Sequence, residues 1–524
     1  MRQRITFLHS PEDVDAFDPA SLVVTDTSLT GSALPAARED RITLALEELP
    51  EELRQVLQSC HELHIRWVSS YPYRTISPLY SRLSPGLHVF FTPRAGSTFQ
   101  DDGQLCAALR TAFGDIDCDT PKTSFTSLPS DRFSHSTAFQ YYQPLEDLST
   151  FTKYVANDLC PLPASTSASS PTEASSCASR VDLLSTSSSL DVSYDTISHA
   201  LKVTGTWGFQ DRPLSVVSPE ARKHRVEVGI LATDEPHGIE PHELGLSGSL
   251  TVLGQDKKPT ATIFKFPARH RHVDDASFST AFQQPTGLHP TLQLRLHGAA
   301  INSPNMGKGD GSHCSLHAHL TLPRAVFVDK YQLSDVLFLS SKNLTALRYI
   351  SQPVDLEAPD YALKPWGSVA LLELKVPLSD RVATPSTLWT AEVPLHLRYL
   401  SPAPGGYRTA QVPHPAVFWA CTTEEGTKFP ASPFERVNLG YDGLFGPRTV
   451  FWHVDPVPSE AGGRLISEVR VPVLDVDRSG WVSAGTTAVV LLGFAWVAWK
   501  LLAVYLKTGY GPQEQMEALE KKEQ

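Results

Sequence analysis

The seven cysteines, Cys60, Cys106, Cys118, Cys160, Cys177, Cys314 and Cys421, include no C-x-x-C pair, so neither a thiolate zinc knuckle nor a dithiol redox motif is available. A Walker loop is missing, as is a G-x-G-x-x-G turn between strand and helix. His61-Glu62-Leu63-His64 falls one residue short of the H-E-x-x-H spacing that sets two histidines on one helical face. Gly245-Leu246-Ser247-Gly248 is followed by Ser249, so the G-x-S-x-G nucleophile elbow fails as well. Positive charge is scarce: 45 Lys and Arg face 57 Asp and Glu, a formal net charge of -12. A phosphate-tracking surface needs clustered Lys and Arg, so nucleic acid is excluded as a partner. The opening residues, MRQRITFLHSPEDVDAF, lack the apolar h-region of a secretory signal, being apolar only over 5–8.

What is present points to a strand-rich globular protein. Proline (41) outnumbers glycine (31), and the apolar share of 41% is ample for a core. At 524 residues the chain exceeds the size at which one core stops growing, so two folded units and a linker are expected. The widely spaced cysteines fit a few disulfides in an oxidising lumen, and their odd number leaves at least one thiol outside such pairs.

The strongest local feature is an uncharged stretch over 481–499, WVSAGTTAVVLLGFAWVAW, continued past Lys500 to Lys507. That length suffices to cross a hydrocarbon core, which takes about 20 apolar residues. Trp481 at one end and Trp496, Trp499 and Tyr505 near the other suit the two interfaces, where Lys500 can snorkel. Ser483, Ala484, Gly485, Ala488 and Gly493 offer small surfaces to a partner helix. Arg464, Arg470 and Arg478 nearly balance Lys500, Lys507, Lys521 and Lys522, with a lean toward a cytosolic tail.

Residues 1–160 read as an α+β domain, with ITFLH and HELHIRWVSS as strands and PEELRQVLQSC as a helix between them. Residues 161–190 are Ser-, Thr-, Pro- and Ala-rich and read as a flexible linker. Over 191–475, short alternating runs such as LKVTGTW, HRVEVGILAT, TLQLRLHG, CSLHAHLTL, SVALLELKV and PLHLRYL are broken by Pro and Gly. That is the pattern of an antiparallel β-sandwich. A transmembrane helix over 481–506 and a tail over 507–524 complete a mainly β architecture.

Two motifs invite a chemical reading. His317 and His319 share one face of a strand, yet no carboxylate set completes a metal site, and the alternation reads as a half-exposed strand with histidines on its polar side. Asp-x-Asp spacing recurs at Asp13/Asp15, Asp115/Asp117/Asp119 and Asp475/Asp477. Such recurrence in an acidic chain marks solvated loop charge rather than a sugar-nucleotide site. Asn343-Leu344-Thr345 is a sequon, which fits a lumenal surface. No complete catalytic constellation appears, so a binding or structural protein is expected, with no cofactor.

Several stretches together resemble the long fungal form of the PIG-X family. They are LHPTLQLRLHG (288–298), HCSLHAHLTLPRAVFVDKYQL (313–333), VDLEAPDY (354–361) and PLHLRYLSPAPGGYRTAQVPHPAVFWAC (394–421), followed by the single span. The resemblance runs from about 285 onward; RITFLHSPED and FSHSTAFQYYQPL also look like the fungal amino-terminal extension. It implies a single-pass endoplasmic reticulum membrane protein with its bulk in the lumen and its carboxyl terminus cytosolic. Such a subunit is not an enzyme; it stabilises the polytopic catalytic glycosylphosphatidylinositol (GPI) mannosyltransferase I that adds the first mannose. The alternative is a general lumenal folding factor. Within the resembling region, Cys314 and Cys421 are the candidate disulfide, and His396, Arg398, Tyr399, Phe418 and Trp419 the candidate partner surface.

Overall fold

The computed structural model describes the chain except residues 12–17, 95–102, 129–137, 161–176, 178–179, 220, 222–223, 236–237, 241, 285, 305–312, 352–353, 378–387, 424–426, 430–431, 437–438, 510–520 and 523–524. The architecture is mainly β. One sheet has the strand order Thr260–Pro267, Glu243–Val252, Arg225–Asp234, Arg2–His9, Ser28–Ala45, Ala200–Val217, Ser189–Asp195, Cys60–Val68, Gly86–Pro93, Phe139–Gln143, Thr126–Ser127, with Val23–Val24 beside Ser28–Ala45. A second sheet of eight strands runs Leu344–Ile350, Gly367–Leu374, Cys314–Pro323, Ala416–Thr422, Thr449–Pro456, His270–Phe282, Thr291–Gly298, Leu388–Pro394. Neighbours are antiparallel except for one parallel pair in each sheet, Arg2–His9 with Arg225–Asp234 and His270–Phe282 with Thr449–Pro456.

Strand alternation gives the first sheet two different faces. On Cys60–Val68, Leu63, Ile65 and Trp67 look toward three helices, α1 (Glu51–Ser59), α2 (Gln104–Phe113) and α3 (Ser149–Tyr154), and form one core with them. His64 and Arg66 look the other way, toward the second sheet. Between the sheets, Val68 and Phe90 of the first meet Leu371, Ala416, Phe418 and Phe451 of the second. The result is helices on a sheet on a sheet.

Two sequence expectations need correction. The division at 161–190 is not where the structure divides, because strands from both sides of it interleave in the first sheet. Residues 161–176 and 178–179 lie outside the described set. The end of the supposed linker is folded: Val181 is buried and Ser189–Asp195 is a central strand, since VDLL and the following residues carry enough apolar surface to pack. One compact unit holds 1–398 and 410–469; a second, small unit holds 399–409 and 470–524. In the small unit, the turn around Pro404–Gly406 meets the residues leading into the final helix, with Ala403 N donating to Leu474 O and Val473 N to Gly406 O. Arg470 lies over the Tyr407 ring at 4.0 Å. Ser479–Thr508 is one helix, long and apolar enough to cross a membrane, with large side chains such as Leu492 and Phe494 fully outward.

Candidate functional site

Most of the residues expected to form a partner surface are buried. Ala416–Thr422 is an interior strand whose two faces are both covered, so Phe418 is 0% and Trp419 4% exposed. Phe418 stacks on Tyr441 at 4.6 Å, and Trp419 Nε1 donates to Ala300 O at 3.0 Å. Arg398 is also buried, donating to Ala358 O at 2.8 Å and covering the Phe327 ring. His396 is half-buried against His289, with their Nδ1 atoms 3.0 Å apart. Only Tyr399, in the small unit, stands open, at 70% exposure. PLHLRYL is not one long strand: Pro394 ends Leu388–Pro394 opposite Thr291, and His396–Leu397 pairs separately with Val326–Phe327.

The half-exposed reading of CSLHAHLTL also fails. Cys314–Pro323 lies between two strands, and His317 and His319 are buried against Phe418, Phe445 and Tyr441. Burial lowers His317 to about 4 and His319 to about 3, so both are neutral imidazoles. Among the described residues, no group of three or more His, Cys, Asp and Glu is placed to hold a metal ion.

Cys314 and Cys421 stand directly opposite each other across an antiparallel pair and are joined as a disulfide. Cys106–Cys118 and Cys160–Cys177 are two further bridges. Cys60 remains a thiol, pushed up to about 12 by burial. Asn343 is exposed at φ 56°, in the left-handed region that Asn tolerates, and its Nδ2 donates to Thr390 O at 2.8 Å.

Two features between and above the sheets escaped sequence reading. The first is a buried ionic layer on the face turned to the second sheet. Glu39, fully buried, meets Arg4 at 2.7 Å, Arg436 at 2.6 Å and Arg41 at 3.5 Å. Burial alone would raise its pKa, but the three guanidiniums hold it at about 2. Asp191, directly across from Arg66 in register, meets His64 at 3.1 Å and Arg436 at 3.4 Å. Arg436 thus ties strand Ser28–Ala45 to strand Ser189–Asp195. Charged residues two apart on a strand, Glu39/Arg41 and His64/Arg66, look like a solvated edge in sequence; only the second sheet makes them internal.

The second is an apolar cavity of about 260 Å³ between the opposite face and α1, α2 and α3. One row of register-matched residues crosses five strands along its floor: Gln3, Ile42, Val203, Val192 and Ile65. Leu105, Leu109 and Phe113 of α2 close it from above. Ile42, Val192 and Val203 stay half-exposed because the helices stop short of them. The space is partly open, and the apolar row along its floor forgoes the contacts that a filled interior would supply. Interiors are otherwise close-packed.

The PIG-X / PBN1 family profile matches residues 285–502. Protein pbn1 of Neurospora crassa is 54% identical over 514 residues, covering 98% of this chain and 97% of that protein. The chain belongs to the PIG-X / PBN1 family. Protein pbn1 of Emericella nidulans is 43% identical, with 98% of each chain covered. Protein PBN1 of Yarrowia lipolytica is 34% identical over 59% of this chain and 60% of its own. The PIG-X / PBN1 match takes in most of the second sheet and the membrane-length helix, whereas the cavity and the carboxylates of the ionic layer lie before it.

Proposed function

We propose that this chain is a non-catalytic stabilising subunit of GPI mannosyltransferase I in the endoplasmic reticulum, supporting addition of the first mannose in GPI-anchor biosynthesis. Family membership, which implies a component of GPI-anchor biosynthesis, supports this. The observation that carries it is that the family match runs on from the second sheet into the helix that ends the fold. A folded β-structure coupled to one membrane-length helix is suited to holding a polytopic partner rather than to transferring a sugar. Three disulfides favour an oxidising compartment, hence the bulk of the chain in the lumen and the tail in the cytosol. Tyr399 and the outward side chains of the helix are the contact candidates that remain.

The test is purification of the tagged full-length protein from its own membranes in mild detergent, with identification of what co-purifies. One polytopic mannosyltransferase at fixed stoichiometry is the expected result; many substoichiometric clients would instead support the general folding factor. Removing this chain should lower the amount of catalytic subunit and leave turnover per remaining molecule unchanged. Endoglycosidase treatment should shift the wild-type protein and leave Asn343→Gln unmoved; no shift in either would remove the glycan from the reading.

A further inference from the structure

We infer that the cavity above the first sheet is a binding site for one hydrocarbon chain of a lipid whose polar end offers a hydroxyl or amide N–H to Gln3. The floor is linear. Gln3 pairs in register with Ile42, Ile42 with Val203, Val203 with Val192 and Val192 with Ile65. Four steps between strands span roughly 19 Å, the reach of an extended long-chain acyl group. The volume of about 260 Å³, against roughly 10–15 Å³ for one buried water on the same measure, leaves room for a hydrocarbon chain laid along that row.

The polar end is assigned by Gln3. Its side chain is 4% exposed, borders the cavity, and carries an Oε1 without a hydrogen-bond partner. A buried acceptor of this kind is costly unless a donor reaches it. Asp40, which also borders the cavity, is tied by two bonds of 2.7 Å to Arg38. Half-buried Ile42, Val192 and Val203 line this space, so a hydrocarbon chain completes a face that the helices leave unfinished. A chain with a membrane-length helix meets such lipids wherever it is anchored.

Photo-crosslinking of the full-length protein in its membranes tests the assignment. The probes are hexadecanol, palmitic acid and a polyisoprenol, each carrying a diazirine and an alkyne, and labelled peptides are mapped. Hexadecanol should label peptides over 104–113 and 200–207, with label on the final helix as internal standard. Gln3→Leu should lower that cavity label about fivefold for the alcohol, and Ala108→Phe, which fills the space, at least about tenfold. If polyisoprenol labels the same peptides more strongly, the site stands and its chain is branched. Label confined to the final helix, or cavity label unchanged by Ala108→Phe, overturns it. Should Ala108→Phe lose its cooperative melt, the smaller Ala112→Leu and the wild-type map decide in the same way.

Discussion

On strand Ser28–Ala45, Ile42 and Leu44 look toward the helices while Glu39 and Arg41 look toward the second sheet. The same alternation recurs on Cys60–Val68 and Ser189–Asp195, so one set of strands builds two unlike interiors. The helix side is apolar and underfilled; the sheet side sets a layer of ion pairs beside its apolar contacts. Apolar burial supplies driving force without direction, whereas a guanidinium–carboxylate pair is satisfied in one register only. Because desolvation offsets much of a buried pair's attraction, the ionic layer adds little net stability yet is costly to break. We therefore assign register to the charged face and most of the stabilisation to the apolar one.

The sharpest way to break that contrast is to remove one carboxylate. Glu39→Leu strands Arg4 and Arg41 without their anion and leaves Arg436 only Asp191; it should lower stability by about 3–5 kcal/mol, read as a fall in the melting temperature of the purified full-length protein. Ile42→Ala on the same strand should cost about 1 kcal/mol, since its neighbour is already a void. Equal losses would collapse the distinction between the faces.

Acid should attack the sheet side first. Six buried histidines on or beside these strands have pKa values lowered by burial: His88, His317 and His414 to about 4, His270 and His319 to about 3, and His453 still further down. The unfolded chain takes up these protons below about 6.5 while the folded chain does not. The stability they contribute is thus complete above pH 6.5 and lost as pH falls toward the folded values. Each adds a slope of at most about 1.4 kcal/mol per pH unit within its window. Glu39 acts later, since its contribution survives until pH falls from 4.5 toward about 2. Melting temperature should therefore drop between pH 7.5 and 5.5, and His319→Phe should flatten that slope; a pH-independent melt would contradict the buried neutral histidines.

The smallest effect sharpens the comparison from the other side. Ala112→Leu, directed into the cavity, should stabilise the lipid-free protein by about 0.5–1 kcal/mol, seen as a rise of a few degrees in thermal melting. The same substitution on a filled face would lower it.

How much of this was legible follows from which signals are local. ITFLH, LKVTGTW, TLQLRLHG and CSLHAHLTL lie in strands, HELHIRWVSS, HRVEVGILAT and SVALLELKV overrun theirs by one or two residues, and PEELRQVLQSC contains α1, because period is written within a few residues. The final helix was equally plain. The crossing of 161–190 was not, since a Ser-rich segment says nothing about which strands pair across it. Nor were the inward charges: His64 and Arg66 alternate with apolar residues just as a solvated face would, and only a covering sheet reverses the reading. Phe418 and Trp419 misled for the converse reason, because an aromatic pair suits an interface and a two-sided core strand alike. The cavity depends on how far α1, α2 and α3 reach over the row from Gln3 to Ile65, a tertiary quantity with no local sign.

The position of Arg2–His9, parallel to Arg225–Asp234 inside the first sheet, sets a schedule for synthesis. Once made, Arg2–His9 can find that neighbour only after more than two hundred further residues have been added, roughly ten to forty-five seconds at ribosomal speed. Throughout that interval an apolar β-strand, RITFLH, is finished and unpaired on one side, an open edge that a chaperone would have to shield.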